Sequence, residues 1–345
     1  MNKNTFQYNQ PFELESGTTL SGYHLAYTTL GEMNDDKSNV VWIFHALTAN
    51  SNPAEWWPGL VGENCFFNPK LFFIVCVNMP GSCYGSIGAL DVDKTTGKPY
   101  YHSFPQFTSR DIIRAYRPLR KELGIEKIHI GIGGSVGGHQ LLEWAIEEPE
   151  LFDYIVPIAT NAQHSPWGMA FNASQRWCIE NDCTWKNKDE NAGKEGMKIA
   201  RSIALLSYRH YETYTSTQHG FTADTETESL DKQVTKAESY QHYQGEKLAK
   251  RFTAYSYYFL THVMDKHNVG RGRTSVQTAL HAIKAKTLVI GISSDILFPP
   301  LEQEFLAAYI PNAQLAIIDS NYGHDGFLLE WDALTRLLEE FIPNL

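Results

Sequence analysis

The sequence predicts an α/β protein, a mostly parallel sheet with helices on both faces and a helical segment inserted late in the chain. Three observations carry this. Short apolar runs near residues 23–28, 40–44, 71–77, 128–131, 154–158, 287–292 and 315–318 read as strands. Amphipathic patterns over 108–123, 137–147 and 327–341 read as helices that alternate with them. Between about 161 and 281 that rhythm breaks into helical patterns rich in aromatics, around a polar run at 222–235 with no apolar period. Residues 1–160 and 282–345 are therefore expected to form the core. Residues 161–281 are expected to form a helical lid with one exposed loop inside it.

Composition bounds the function. A chain of 345 residues, 43% of them hydrophobic, can bury one large core plus an insertion. A formal net charge of −10 and a pI near 5.7 argue against nucleic acid or an anionic membrane surface as partner. The first ten residues are polar, and no run of about 20 apolar residues exists to span a bilayer. Cys65, Cys76, Cys83, Cys178 and Cys183 are odd in number and form neither a CxxC pair nor a His/Cys metal spacing. They point to a reduced, cytoplasmic setting and to no metal site.

The most specific segment is Gly133-Gly134-Ser135-Val136-Gly137, with an apolar strand before it and a helix pattern (Leu141, Leu142, Trp144, Ala145) after it. A G-x-S-x-G turn in that setting is a nucleophile elbow, so tight that the serine takes strained backbone angles and lifts its hydroxyl clear of the sheet. Gly133 and Gly137 lack the Cβ that would collide there. The helix aims its first N–H groups at an oxyanion forming beside the serine. A Gly-rich turn before a helix can also cradle a phosphate, but strand, turn and helix together favour the nucleophile.

The acid and base of a triad are then sought in the order Ser, acid, His. Asp295 stands at the carboxyl end of the apolar run that starts at Lys286, and His324 follows the last strand in Tyr322-Gly-His-Asp-Gly326. Asp319 competes as the acid, but it falls within the last strand pattern rather than past its end. His324 would take and return the Ser135 proton, and Asp295 would fix the imidazole tautomer. The oxyanion hole needs the Val136 N–H and a second donor from the loop after residues 40–44. Leu47 is the choice there, with Ala46 as the alternative, and His45 is expected to bond nearby backbone.

Further matches run along almost the whole length. They include His45-Ala-Leu-Thr48, Asn78-Met-Pro-Gly-Ser-Cys-Tyr-Gly-Ser86, Thr96-Gly-Lys-Pro-Tyr100, Ala170-Phe-Asn172 with Gln175-Arg176, and Leu206-Ser-Tyr-Arg209. Met264-Asp-Lys-His-Asn-Val-Gly-Arg-Gly-Arg273, Ser294-Asp295 before Pro299-Pro300, and Tyr322-Gly-His-Asp325 complete the set. With the elbow, the chain resembles the homoserine O-acetyltransferases, acyltransferases of the α/β-hydrolase fold that serve methionine biosynthesis.

That resemblance implies a donor, an acceptor and their ligands. Acetyl-CoA would acetylate Ser135 and L-homoserine would receive the acetyl group, with no metal and no tightly bound cofactor. Arg201 corresponds to the arginine that binds the amino-acid carboxylate, and Asp325 to the acid that holds the amino group. Tyr208, seven residues beyond Arg201, would sit on the same side of the lid helix. Without the resemblance, Arg201 reads as a solvated helix residue and Asp325 as a helix N-cap. Homodimers through the lid helices are implied as well. Val136 stands where the family usually has methionine, Met79-Pro80 replaces a Val-Leu-type run, and Phe252-Thr-Ala-Tyr-Ser256 replaces Phe-Asp-Ala-Asn-Ser. These departures bear on acyl and acceptor preference more than on catalysis. A succinyl donor, a serine acceptor, or a plain esterase or thioesterase are the alternatives.

Overall fold

The computed structural model describes residues 2–342. Its central sheet has eight strands: β1 (Asn2–Tyr8), β2 (Tyr23–Leu30), β3 (Val40–Phe44), β4 (Phe73–Val77), β5 (Ile128–Gly134), β6 (Phe152–Ile158), β7 (Lys286–Ile292) and β8 (Ala313–Ile318). Their order across the sheet is β1-β2-β4-β3-β5-β6-β7-β8. The pairings β1–β2 and β2–β4 are antiparallel, and all the others are parallel.

The pleat explains why the central strands are continuously apolar. In β3, Val40, Trp42 and Phe44 enter one apolar cluster, which also holds Leu141 and Trp144. Val41 and Ile43 enter the other, with Leu334 and Leu338. A strand covered on both faces has no polar side to show. The helices α1 (Ser109–Glu122) and α2 (Val136–Glu147) supply the first layer. Thr108 caps α1 in a reciprocal box with Asp111, each side chain bonding the other's backbone N–H.

Between β6 and β7 the chain is helical: α3 (Pro166–Glu180), α4 (Lys194–Tyr208), α5 (Tyr211–Thr217), α6 (Lys236–Ala249), α7 (Ala254–Asp265) and α8 (Val276–His281). Helix α4 packs between α3 and α6. Of residues 222–235, read as an exposed loop, 222–234 hold no helix or strand and Thr235 pairs with Phe221 in an isolated bridge. Among the described residues no helix is long and apolar enough to cross a membrane.

Three elements differ from expectation. The polar segment Asn2–Tyr8 is a sheet strand, because an edge position paired antiparallel to β2 needs backbone bonding more than two apolar faces. Pro300–Tyr309 is a helix, α9, with Pro300 in its first turn. The expected helix 327–341 is broken at Glu330, whose angles (φ −83°, ψ 53°) separate the turn Gly326–Leu329 from α10 (Trp331–Phe341).

A buried ion network fastens α2 to its surroundings. Arg110 meets Glu143 through two bonds of 3.2 and 3.1 Å and Glu15 at 2.7 Å, while Arg273 reaches Glu143 at 2.9 Å. Glu143 is 1% exposed, so its charge depends on these partners. Replacing Arg110 with Met should cost about 3–5 kcal/mol, because a buried carboxylate loses its main counter-ion. Urea denaturation of the two proteins measures this, and a loss below about 1 kcal/mol would show that Arg273 alone suffices.

Candidate active site

Ser135 occupies the turn between β5 and α2 with φ 57° and ψ −126°, angles that a side chain rarely adopts. Close approach leaves no room for larger neighbours. A Cβ at Gly133 would come within 2.6 Å of the Gly137 carbonyl carbon, and one at Gly137 within 2.2 Å of the Phe44 oxygen. The turn is pinned by Ser135 N–H donating to the Ile158 carbonyl at 3.0 Å and by the Thr160 hydroxyl donating to the Ser135 carbonyl at 2.8 Å. Strain at a fixed serine is a mark of a site, since surrounding structure must over-determine it.

His324 and Asp295 come together as expected. His324 Nδ1 donates to Asp295 Oδ2 at 2.6 Å, and Asp295 Oδ1 accepts the Leu297 and Phe298 N–H groups at 2.8 and 2.9 Å. With Nδ1 committed to the carboxylate, Nε2 is the free basic nitrogen. Serines stitch the two loops: the Ser294 hydroxyl donates to the Ser320 carbonyl and accepts the Gly323 N–H at 3.0 Å. Phe327 links this loop to the elbow. Its ring centroid lies 5.2 Å from that of His324, and a Cβ at Gly134 would come within 2.4 Å of it. Asp319 is exposed and accepts the Ser293 hydroxyl at 3.0 Å. It stands just beyond β8 rather than within it, so the sequence chose between the acids for the wrong reason.

The loop after β3 lies against the elbow through the Phe44–Gly137 contact. His45 does bond backbone: Nδ1 donates to the Ala46 carbonyl at 2.9 Å and Nε2 accepts the Met79 N–H at 3.0 Å. Among the described residues no protein acceptor takes the N–H of Leu47 or of Val136. Two unspent N–H groups beside a serine can receive a developing oxyanion. The Ala46 N–H is equally unspent, so this geometry leaves both second donors open.

A cavity of about 640 Å³ adjoins these groups. Ala46, Thr48, Arg201, Arg209, Lys247, Arg251, Glu55 and Asp325 contribute to its wall, whereas Ser135, His324 and Tyr208 do not. Arg201 is half-buried, with its guanidinium 5.3 Å from the centre of the Tyr208 ring. Tyr208 in turn stands 5.6 Å from the His324 ring. Burial pushes the Tyr208 phenol up, so it remains a neutral hydrogen-bond donor. Asp325 precedes a helical turn without capping it and instead pairs with Arg209 at 3.2 Å. The sequence offered Arg209 only as part of a matched segment, with no role.

Of the departures, Tyr255 lies in α7, and Met79 and Val136 lie at the elbow. Tyr255 is buried among Tyr101, His102 and Trp185 and donates to the Asn187 carbonyl at 3.1 Å, away from the cavity wall. Met79 and Val136 are fully buried against the elbow, with Gln140 bonding both Met79 Sδ and the Val136 carbonyl.

Behind the site lies a group of histidines that the sequence did not single out. His139 on α2 stacks on His267 with centroids 3.8 Å apart, and Phe298 contacts both His139 and His324. Burial pushes His267 down to about 3 and His45 and His164 down to about 4, and His139 is lowered by burial and by its histidine neighbours.

The fold and site define an α/β-hydrolase-type protein with a serine nucleophile elbow, and a family profile of the alpha/beta hydrolase fold matches residues 39–330. The homoserine O-acetyltransferase of Cyclobacterium marinum is 45% identical over 341 residues, covering 99% of this chain and 95% of that protein. Among solved structures, a homoserine O-acetyltransferase from Bacillus anthracis superposes with a TM-score of 0.90 at 23% identity, covering 99% and 98% of the two chains. A mutant of esterase E22 has a TM-score of 0.89 at 22% identity, covering 99% of this chain and 100% of that one. The chain belongs to the homoserine O-acetyltransferase family and is an enzyme of the α/β-hydrolase fold.

His45, His139, His164 and His267, together with His262, which burial also lowers to about 4, set an expected pH dependence. Each is neutral when folded and takes up a proton near pH 6.5 when unfolded, so its contribution is complete above about 6.5. As pH falls from there toward about 4, each removes up to about 1.4 kcal/mol per pH unit. The urea midpoint should therefore drop steeply between about pH 6.5 and 4.5. A flat profile across that window would mean that these imidazoles are protonated in the folded state.

Proposed function

We propose that this enzyme moves an acetyl group from acetyl-CoA to the hydroxyl of L-homoserine through an acetyl-Ser135 intermediate. One observation carries the reading: the cavity walled by Ala46, in the loop after β3, presents a guanidinium, Arg201, and the carboxylate of Asp325, the residue after His324. Those charges match an amino acid's carboxylate and ammonium, which simple ester hydrolysis does not require. The relatives' names supply the particular amino acid and acyl group.

In the proposed reaction Ser135 Oγ attacks the thioester carbonyl as His324 Nε2 takes its proton, and the N–H groups of Val136 and Leu47 receive the oxyanion. Collapse expels CoA thiolate, which leaves as the thiol with the proton from His324. The homoserine hydroxyl then gives its proton to His324 and attacks the acetyl carbon, and the second tetrahedral intermediate expels Ser135 Oγ, which regains the proton. Arg201 and Asp325 hold the acceptor while residues 161–281, the lid in this reading, keep water out. Lys247 and Arg251 give the cavity a cationic side that suits a polyanionic donor. Acyl-CoA is the co-substrate and no bound cofactor is needed. The setting is methionine biosynthesis in the cytoplasm, a reducing compartment consistent with five free thiols.

The partner is a second copy of the chain. An apolar groove between α3 and α4, walled by Trp177, Cys178 and Ile199, exposes Trp177 to 69%. Light scattering should give the mass of a dimer, and Trp177→Glu should shift it to that of the monomer; a monomeric wild type removes this assignment. Hydrolysis is the second reading, favoured by the close superposition of an esterase.

The two readings separate on CoA release. Ser135→Ala should abolish the acetyl mass that wild type gains from acetyl-CoA. Arg201→Ala and Asp325→Ala should still acquire it yet transfer poorly. Loss of a charged partner in a desolvated pocket costs about 2–5 kcal/mol, roughly 30- to 4000-fold in kcat/KM. CoA release that is indifferent to homoserine marks a hydrolase. Unchanged transfer in either variant would remove Arg201 or Asp325 from the acceptor site.

A further inference from the structure

The acceptor reading gives Asp325 to an ammonium, yet this carboxylate already has a cationic neighbour. Arg209 Nε lies 3.2 Å from Asp325 Oδ2, with the two side chains 21% and 14% exposed. Both residues wall the same cavity as Arg201. Among the described residues, Asp325 Oδ1 and the two terminal nitrogens of Arg209 take no hydrogen-bond partner from the protein. Arg201, by contrast, sits over the Tyr208 ring, and no carboxylate among the described residues pairs with it. One oxygen of Asp325 thus faces the Arg209 cation in an ion pair without a hydrogen bond, and the other faces none.

The backbone beneath this pair is equally constrained. Gly323, directly before His324, has φ 63°, and a Cβ there would come within 2.8–3.0 Å of the Tyr208 carbonyl oxygen, the Arg209 carbonyl carbon and the His210 nitrogen. The end of α4 and the histidine loop therefore touch main chain to main chain. Arg209 extends from that contact to the residue just after the histidine. An ion pair mounted on a rigid joint holds its cation on one side of the carboxylate.

We propose that Arg209 is a positioning residue that orients the Asp325 carboxylate so that Oδ1 faces an incoming ammonium, and so sets the preference for amino-bearing acceptors. The proposal rests on the acyl-transfer reading. A carboxylate can bridge two cations, one at each oxygen, so the acceptor's ammonium binds without expelling Arg209. In the empty site Arg209 compensates Asp325, which would otherwise be a poorly solvated lone charge. A hydroxy acid without an amino group gains nothing from this arrangement. Its transfer depends on Arg201 and the triad alone.

The test compares wild type, Arg209→Ala and Arg209→Lys as full-length enzymes, with acetyl-CoA as donor. The acceptors are L-homoserine and 4-hydroxybutyrate, which is homoserine without its amino group. Arg209→Ala should lower the ratio of kcat/KM for homoserine over 4-hydroxybutyrate by about 10-fold or more, chiefly through the KM for homoserine, because a charge-assisted contact is misaimed. Arg209→Lys keeps a cation near Asp325 and should restore most of the ratio. If both acceptors fall together and the ratio stays constant, Arg209 is only a clasp between α4 and the histidine loop, and the proposal is overturned. An alanine variant equal to wild type overturns it too. Wild type that releases CoA equally with and without homoserine overturns the acyl-transfer reading itself, and this proposal with it.

Discussion

The approach of α2 to the end of β3 governs the whole arrangement. With Gly137 placed where any Cβ would stand 2.2 Å from the Phe44 oxygen, the helix starts almost in contact with the neighbouring strand's backbone. That contact forces the turn at Ser135 into its strained angles and brings the loop after β3 beside the serine. The N–H groups of Val136 in α2 and of Ala46 and Leu47 in that loop take no protein acceptor among the described residues. The strained turn at Ser135 and the nearness of the loop after β3 thus follow from one steric fact. The cost is carried by the rest of the sheet, whose central strands are buried on both faces.

The helical insertion meets this core through polar and aromatic contacts as well as apolar ones. His267, after α7, stacks on His139 of α2, and Arg273 pairs with Glu143 one turn further along the same helix. The end of α4 rests on Gly323 beside His324. The insertion is therefore anchored to both the nucleophile helix and the histidine loop. An element tied to both sides of a reaction centre can place a second substrate with little residual freedom, which a serine site that only hydrolyses does not need.

Much of this was legible in the sequence because it follows local rules. The elbow declares itself through glycines at fixed spacing between a strand and a helix, and Asp295 and His324 through their places after strands. What was hidden depends on contacts between distant residues. Asn2–Tyr8 carries no apolar alternation because an edge strand needs none, and the break at Glu330 interrupts a pattern that reads as one helix. Asp319 was set aside as part of a strand, although its exposure and its bond to Ser293 are what remove it. The buried histidines at 139, 164 and 267 look like any others until the fold stacks them. Tyr255 shows the converse: a departure from the family pattern near the lid proves to be scaffold, packed on Trp185 and Tyr101.

Arginine placement separates binding from support in this molecule. Arg110 and Arg273 are both paired with the buried Glu143 of α2, and Arg110 with Glu15 as well, so their charge is spent on holding elements together. Arg201 has no such partner, only the face of Tyr208, and it stands on a cavity wall. A guanidinium over an aromatic ring keeps its edge donors available while its face is occupied, which leaves it able to take a planar carboxylate. Arg209 lies between these cases, since Nε meets Asp325 while its terminal nitrogens stay free. An uncommitted cation and a half-committed ion pair on one wall are what the proposed zwitterionic acceptor rests on. The −10 charge of the whole chain does not reveal this, because local pairing, and not net charge, decides which groups remain to bind.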